Sequence, residues 1–177
     1  MRDSRRDGNH PYTVSPMQIT AAQLVTRFGA EEIAAIAVPK WLDPLTPDQM
    51  SAAANGDDLS QWADAAKLSA QSALSRIETV SGRAATELAY YLRFRAPTAD
   101  APVWLPDDTL ELARYHLYDA AGNADSTVRL RYQDVIKRLK ALMDEDAANG
   151  VSEGDKGGAP VVISNPRVFS RNTLRRW

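Results

Sequence analysis

Apolar positions recur at helical spacing in two runs between Pro106 and Met143, separated by a Gly-Asn pair. Pro106 with Asp107 or Asp108 suits a helix start, because proline fits the first turn and an aspartate satisfies its unpaired N–H groups. Leu110, Ala113, Leu117 and Tyr118 then fall on one stripe. Gly122 and Asn123 tolerate a left-handed terminus and predict a stop. Asp125 or Ser126 caps a second helix, with Val128, Tyr132, Val135, Ile136, Leu139, Leu142 and Met143 on its stripe. Between the stripes lie Arg114, Arg129, Arg131, Lys137, Arg138 and Lys140. The pattern is a helical hairpin with an apolar side and a basic side.

The rest of the chain reads as further helix around this hairpin. Leu59 to Phe94 contains no proline, and Trp62, Ala65, Ala66, Ser69, Ala73, Ile77, Val80, Ala84, Leu88, Tyr91 and Leu92 approximate one face. Gly82 interrupts that run at about 1 kcal/mol relative to alanine, which allows either a kink or a joint between two helices. Upstream, Thr20 and Gln23 have the spacing of a capping box, ahead of a short helix ended by Gly29. A second short helix begins at Ala30 and is stopped by Pro39. Residues 40–58 hold prolines, acids and an Asn-Gly pair, and predict a loop or lid with about one helical turn at 47–54. Trp41 and Leu42 are expected to pack onto the core from it.

The fold class expected is all-α, a small helical bundle with a long central helix and a hairpin. Four segments are expected: a flexible N-terminal arm (1–16), a helical domain (17–146), a glycine-rich linker (147–159) and an extended tail (160–177). Val161, Val162 and Ile163 form at most one short strand, which needs a partner to be stable.

Composition changes this picture little. At 177 residues one domain with a real core is expected, and 44% hydrophobic content is ordinary. Net charge is −2, so overall charge points neither to nucleic acid nor to an acidic disordered chain. No cysteine is present, which removes disulfides, thiolate metal sites and cysteine nucleophiles together. No apolar run approaches the roughly 20 residues that cross a bilayer, and the N-terminus lacks the apolar core of a secretory signal, so a soluble chain is expected.

Catalytic chemistry finds no foothold in the motifs. The two histidines, His10 and His116, lack a converging set of ligands, and no phosphate-cradling or nucleophile-elbow motif occurs. Asp144, Glu145 and Asp146 sit together at the C-terminal end of the expected hairpin, where a solvated, frayed helix end is the simplest reading. The expectation is a non-enzyme with no cofactor and no metal. Arginine and aromatic residues carry more information, since these types are enriched at protein–protein interfaces. Arg93, Arg95, Arg114, Tyr118, Arg131 and Arg138 are candidates for a subunit interface. In the tail, Phe169, Leu174 and Trp177 are apolar anchors among Arg167, Arg171, Arg175 and Arg176, with no acid between 167 and 177.

The order RFG (27–29), YYLRFR (90–95), LARYHLY (112–118), RYQDVIKRLK (131–140), a glycine-rich stretch and RVFSRN (167–172) resembles one family. This is the head–tail connector, or head-completion adaptor, of Mu-like phages. The resemblance covers Ile19 to Trp177, and departs from the family pattern in 1–16 and in 43–65. It implies a ring of about a dozen copies beneath the portal, built from heterologous contacts. Such a ring extends the DNA channel and offers a platform to a tail terminator or stopper. Double-stranded DNA passes through without sequence-specific binding. The protein then belongs in the virion neck, assembled in the host cytoplasm, with no membrane involved.

The tail, including Val161–Ile163, would dock on the portal or a neighbour. A competing reading is a sequence-tolerant DNA-binding helical module that places the basic side of the hairpin on phosphates. A weaker third is a metal-dependent enzyme using Asp144–Asp146 with His116.

Overall fold

Two helices start by the same device. The Thr20 hydroxyl accepts the Gln23 amide at 3.2 Å while the Gln23 side chain accepts the Thr20 amide at 2.9 Å. Thr46 and Gln49 repeat this reciprocal pair at 3.2 and 3.0 Å. Each pair satisfies donors that a helix N-terminus otherwise leaves open. The computed structural model describes residues 19–154 apart from 97, 121, 123 and 124. The arm (1–16) and the tail (160–177), with all the anchors expected there, lie outside the described residues.

Among those residues the architecture is all-α, as expected, with no strand. The helices are α1 (Ala21–Phe28), α2 (Ala30–Ala37), α3 (Pro47–Asn55), α4 (Asp64–Tyr91), α5 (Leu105–Ala120) and α6 (Ser126–Gly154). Gly29 alone joins α1 to α2. Its φ of +91° is closed to side-chain-bearing residues, and this sharp joint lets two eight-residue helices fold against each other. Asp125 caps α6, its carboxylate accepting the Val128 amide at 2.9 Å.

Helix α4 is the axle. Among the described residues it packs against all five other helices, whereas α6 packs against α4 and α5 alone. Its buried face is built from Ser69, Ala70, Ala73, Ile77, Val80, Ser81, Ala84 and Leu88. Small side chains at most of these positions let neighbouring helices approach closely. Leu112 and Leu117 from α5 and Val135 and Leu139 from α6 complete this core, while Leu24, Ile33, Ile36 and Met50 fill the end covered by α1, α2 and α3. Gly82 does not divide α4. The helix runs through it unbroken, and the Thr86 hydroxyl donates to its carbonyl at 2.9 Å.

Several expectations need correction. The long helix begins at Asp64 rather than Leu59, because the Asp58 carboxylate takes the Ser60 amide and hydroxyl, both at 2.8 Å, and turns the chain there. It ends at Tyr91 rather than Phe94. Segment 47–54 is more than one turn, since α3 buries Met50 and Ala53. Trp41 does not pack onto the core. It is 83% exposed, because Leu45 takes the buried place and Leu42 the half-buried one. Residues 147–154 of the expected linker are helical, since α6 continues to Gly154, and the rest of that segment lies outside the described residues. Ala147 and Ala148 sustain the helix, and no proline lies in the way.

These packing differences predict a stability order. Leu112→Ala should lose about 2–5 kcal/mol. Thr46→Ala, which removes one capping oxygen, should lose about 1 kcal/mol. Trp41→Ala should fall within about 0.5 kcal/mol of the parent. Urea unfolding followed by circular dichroism measures all three.

Candidate functional site

Helix α5 buries two carboxylates, Asp108 and Glu111, at 4% and 7% residue exposure. A buried carboxylate is costly unless it is paired and hydrogen-bonded. Both find arginines on α6. Arg138 grips Asp108 with two guanidinium nitrogens, the Nε bond measuring 2.9 Å. Arg131 donates to Glu111 at 3.3 Å. Donating to the Asp108 carboxylate holds the Arg138 pKa above its ordinary value. The two pairs run in antiparallel order along the hairpin and so fix its register.

A second seam ties α5 to α2. Arg114 Nε donates to Glu32 at 2.6 Å, and the Tyr118 hydroxyl donates to the same Glu32 oxygen at 3.2 Å. The Arg114 guanidinium also lies 4.7 Å from the centre of the Phe28 ring on α1. Glu111 Oε2 is 3.6 Å from Arg114, close enough for attraction but too long for a hydrogen bond, and this oxygen has no bonded partner. Arg95, beyond the C-terminus of α4, reaches both carboxylate oxygens of Asp146 at 3.2 Å and the Asp100 carbonyl.

A third node joins α4, α5 and α6. Glu87 meets His116 Nε2 at 2.9 Å and accepts the Tyr132 hydroxyl at 2.7 Å. Tyr115 stacks on Tyr132 with ring centroids 3.9 Å apart. Burial, reinforced by the hydrogen bond to Glu87 and its charge, pushes the Tyr132 phenol well above its ordinary range.

The six residues expected at a subunit interface therefore divide. Arg95, Arg114, Tyr118, Arg131 and Arg138 hold partners within the subunit, and the Arg114 side chain is only 14% exposed. Arg93 is exposed and, among the described residues, bonded only locally: it donates to the Tyr90 carbonyl at 2.9 Å, with its guanidinium 4.0 Å from the Tyr90 ring and 4.5 Å from the Phe94 ring. Tyr90 and Phe94 are exposed, as is Val103 in the loop before α5. Trp41 and Leu68 are exposed at the other end of α4, where the Ser69 hydroxyl donates to the Asp43 carbonyl at 2.7 Å. Sequence reasoning missed Trp41, Leu68 and Val103 as surface groups, because nothing in a periodic pattern says which apolar residue finds no neighbour. The buried pairs left a readable signal: acids three apart on one arm of a hairpin and arginines seven apart on the other.

His116 and Asp146, placed together in the metal-enzyme reading, are engaged with different partners, Glu87 and Arg95. Among the described residues no group of three or more histidines and acids is placed to hold a metal ion, and no helix is long and apolar enough to cross a membrane.

This arrangement is that of a helical bundle with internally neutralised arginines and outward aromatic patches. Comparison with known proteins gives the class: it is a virion-related protein of the Mu-like phages. The sequence model described as "Bacteriophage Mu, Gp36" matches residues 44–160, more than half of the chain, and the chain belongs to that family. The match takes in most of the 43–65 region expected to depart from the family, and leaves α1, α2 and residues 161–177 outside. No curated protein and no solved structure matches the chain significantly.

The node on Glu87 predicts an alkaline signature. A phenol whose folded pKa lies above its ordinary 10.0 keeps its proton in the folded state while the unfolded chain loses it. Stability should therefore be intact below about pH 10 and decline as pH rises further. Tyr91 and Tyr118 are shifted in the same direction and share in that decline. Tyr132→Phe should cost about 1–3 kcal/mol at neutral pH, through the bond lost to Glu87, and should flatten the alkaline fall. Urea midpoints between pH 7 and 11 check both parts.

Proposed function

We propose that this protein is a head–tail connector, or adaptor, of a Mu-like phage. About a dozen copies close into a ring beneath the portal, extend the DNA channel and present a platform to the tail terminator or stopper. Its work is docking rather than catalysis, and it carries no cofactor.

The observation that supports this reading most directly is the pair of unlike apolar patches at opposite ends of α4. Leu68 marks one end and Tyr90 the other, about 33 Å apart at the helical rise. A two-fold contact through either patch leaves the other uncovered. A head-to-tail contact covers both, and when the rotation closes it makes a ring. Tyr90, Arg93 and Phe94 are also the residue types that dominate interface energetics. Beyond the described residues, the tail's Phe169, Leu174 and Trp177, with Arg167, Arg171, Arg175 and Arg176, serve in this proposal as the portal anchor. A partner strand then completes Val161–Ile163.

The DNA-binding alternative draws on the basic side of the hairpin. Against it, Arg114, Arg131 and Arg138 are committed to Glu32, Glu111 and Asp108. Phosphate binding by those guanidiniums would leave the two carboxylates of α5 uncompensated.

Light scattering after size exclusion is the test. The purified protein mixed with its portal should run as one large stoichiometric complex. Deletion of 159–177 should leave the helical signal intact but abolish that complex and the assembly of tailed particles. A chain that ignores the portal and instead binds duplex DNA with a steep salt dependence would replace this proposal with the DNA-binding reading.

A further inference from the structure

The turn between α2 and α3 presents a tryptophan to solvent and is itself tied down. Trp41 is exposed, yet Val38 before it and Leu45 after it are buried. The Leu42 amide donates to the Pro39 carbonyl at 3.0 Å, and the Asp43 carbonyl accepts the Ser69 hydroxyl of α4 at 2.7 Å. Pro39 and Pro44 restrict the backbone further. A large aromatic group already held in place loses little conformational freedom on docking. Leu68, next to the Ser69 that ties the turn to α4, is exposed at the same end.

Charge distinguishes this end of α4 from the other. Residues 40–67 carry five aspartates and two lysines. Asp43 in the turn is exposed, and Asp64 stands one helical turn from Leu68. Lys67 lies 3.3 Å from Asp64, whose side chain is fully in solvent, so that pair is easily exchanged for another. At the far end, Arg93 sits beside the exposed Tyr90 and Phe94 rings. A guanidinium has five N–H donors. Arg93 gives one nitrogen to the Tyr90 carbonyl, and among the described residues no carboxylate pairs with it. Arg95, Arg114, Arg131 and Arg138 each have one.

We propose that Trp41 of one copy docks on the Tyr90, Arg93 and Phe94 cluster of the next copy, with Asp43 and Asp64 meeting the Arg93 guanidinium. The pairing rests on the head-to-tail ring proposed above and specifies which groups meet in it. The indole adds a further aromatic face to a cation already flanked by two rings. Charge then selects the orientation. Two acidic ends brought together repel, whereas the acidic end of one copy attracts the arginine end of another.

The chain has no cysteine, so single thiols can be placed beside the contact while its anchors stay intact. Full-length Lys40→Cys chains mixed with Ala96→Cys chains should be joined by a short bismaleimide, at high protein concentration or with the portal present. Trp41→Ala on the Lys40→Cys chain, or Arg93→Glu on the Ala96→Cys chain, should lower the yield about tenfold or more. Circular dichroism should stay unchanged, since both side chains are exposed. Asp43→Arg or Asp64→Arg on the Lys40→Cys chain should restore the yield lost to Arg93→Glu. A link between Lys40→Cys chains alone would mean that like ends meet, and would overturn the pairing. So would no link under either condition, or no rescue by either arginine. Portal binding without the link would leave the connector reading standing and remove the pairing. The link without portal binding would uphold the pairing and remove the connector reading.

Discussion

A carboxylate taken out of water must be met by a cation, and α5 takes out two. Asp108 and Glu111 lie on a helix that contacts α1, α2, α4 and α6, so little of its surface is left for charged groups to reach solvent. Their partners decide much of the remaining architecture. Arg138 and Arg131 set the register of α6 against α5. Arg114, reaching Glu32 and lying over Phe28, holds the α1–α2 pair on the same helix. The apolar core would hold these helices together without choosing their offset, because hydrophobic burial is not directional. The ion pairs supply the direction.

The aromatic node on Glu87 does related work at the junction of three helices. One carboxylate receives a tyrosine hydroxyl from α6 and faces a histidine from α5, while Tyr115 covers Tyr132. With both carboxylate oxygens occupied, α4, α5 and α6 are joined at one point, with interhelical bonds that a rotation of any one helix would break.

This use of charge bears on function. A hairpin that looks basic in sequence has Arg114, Arg131, Lys137 and Arg138 paired with carboxylates of the same subunit, and the exposed aromatic groups lie at the two ends of α4 instead. Membership of the bacteriophage Mu Gp36 family assigns the chain to the Mu-like phages. The connector proposal adds a geometry to that assignment: rigid bodies meeting end to end, with their internal registers set by ion pairs. A ring whose channel passes DNA is also better served by paired arginines than by free ones, since free cations along the bore would hold the phosphates.

The sequence by itself determined the helices. Periodicity placed α4, α5 and α6, Thr20 with Gln23 and Asp125 marked starts, and Gly29 and Gly122 marked stops, because caps and glycine conformations act within a few residues. The acid–arginine spacing along the hairpin was present to be read as well. Tertiary structure alone decided how many sides of each helix are covered. It buried Asp108, Thr109 and Glu111 on α5, where a single apolar stripe was expected, and gave Leu45 the place expected of Trp41. It also made α3 a helix with a buried face, since Met50 and Ala53 gain their value only from α1 and α2 beside them. A local pattern records which face of a segment prefers to leave water. Which neighbours arrive to cover the other faces depends on contacts between residues far apart in the chain, and no window of sequence contains them.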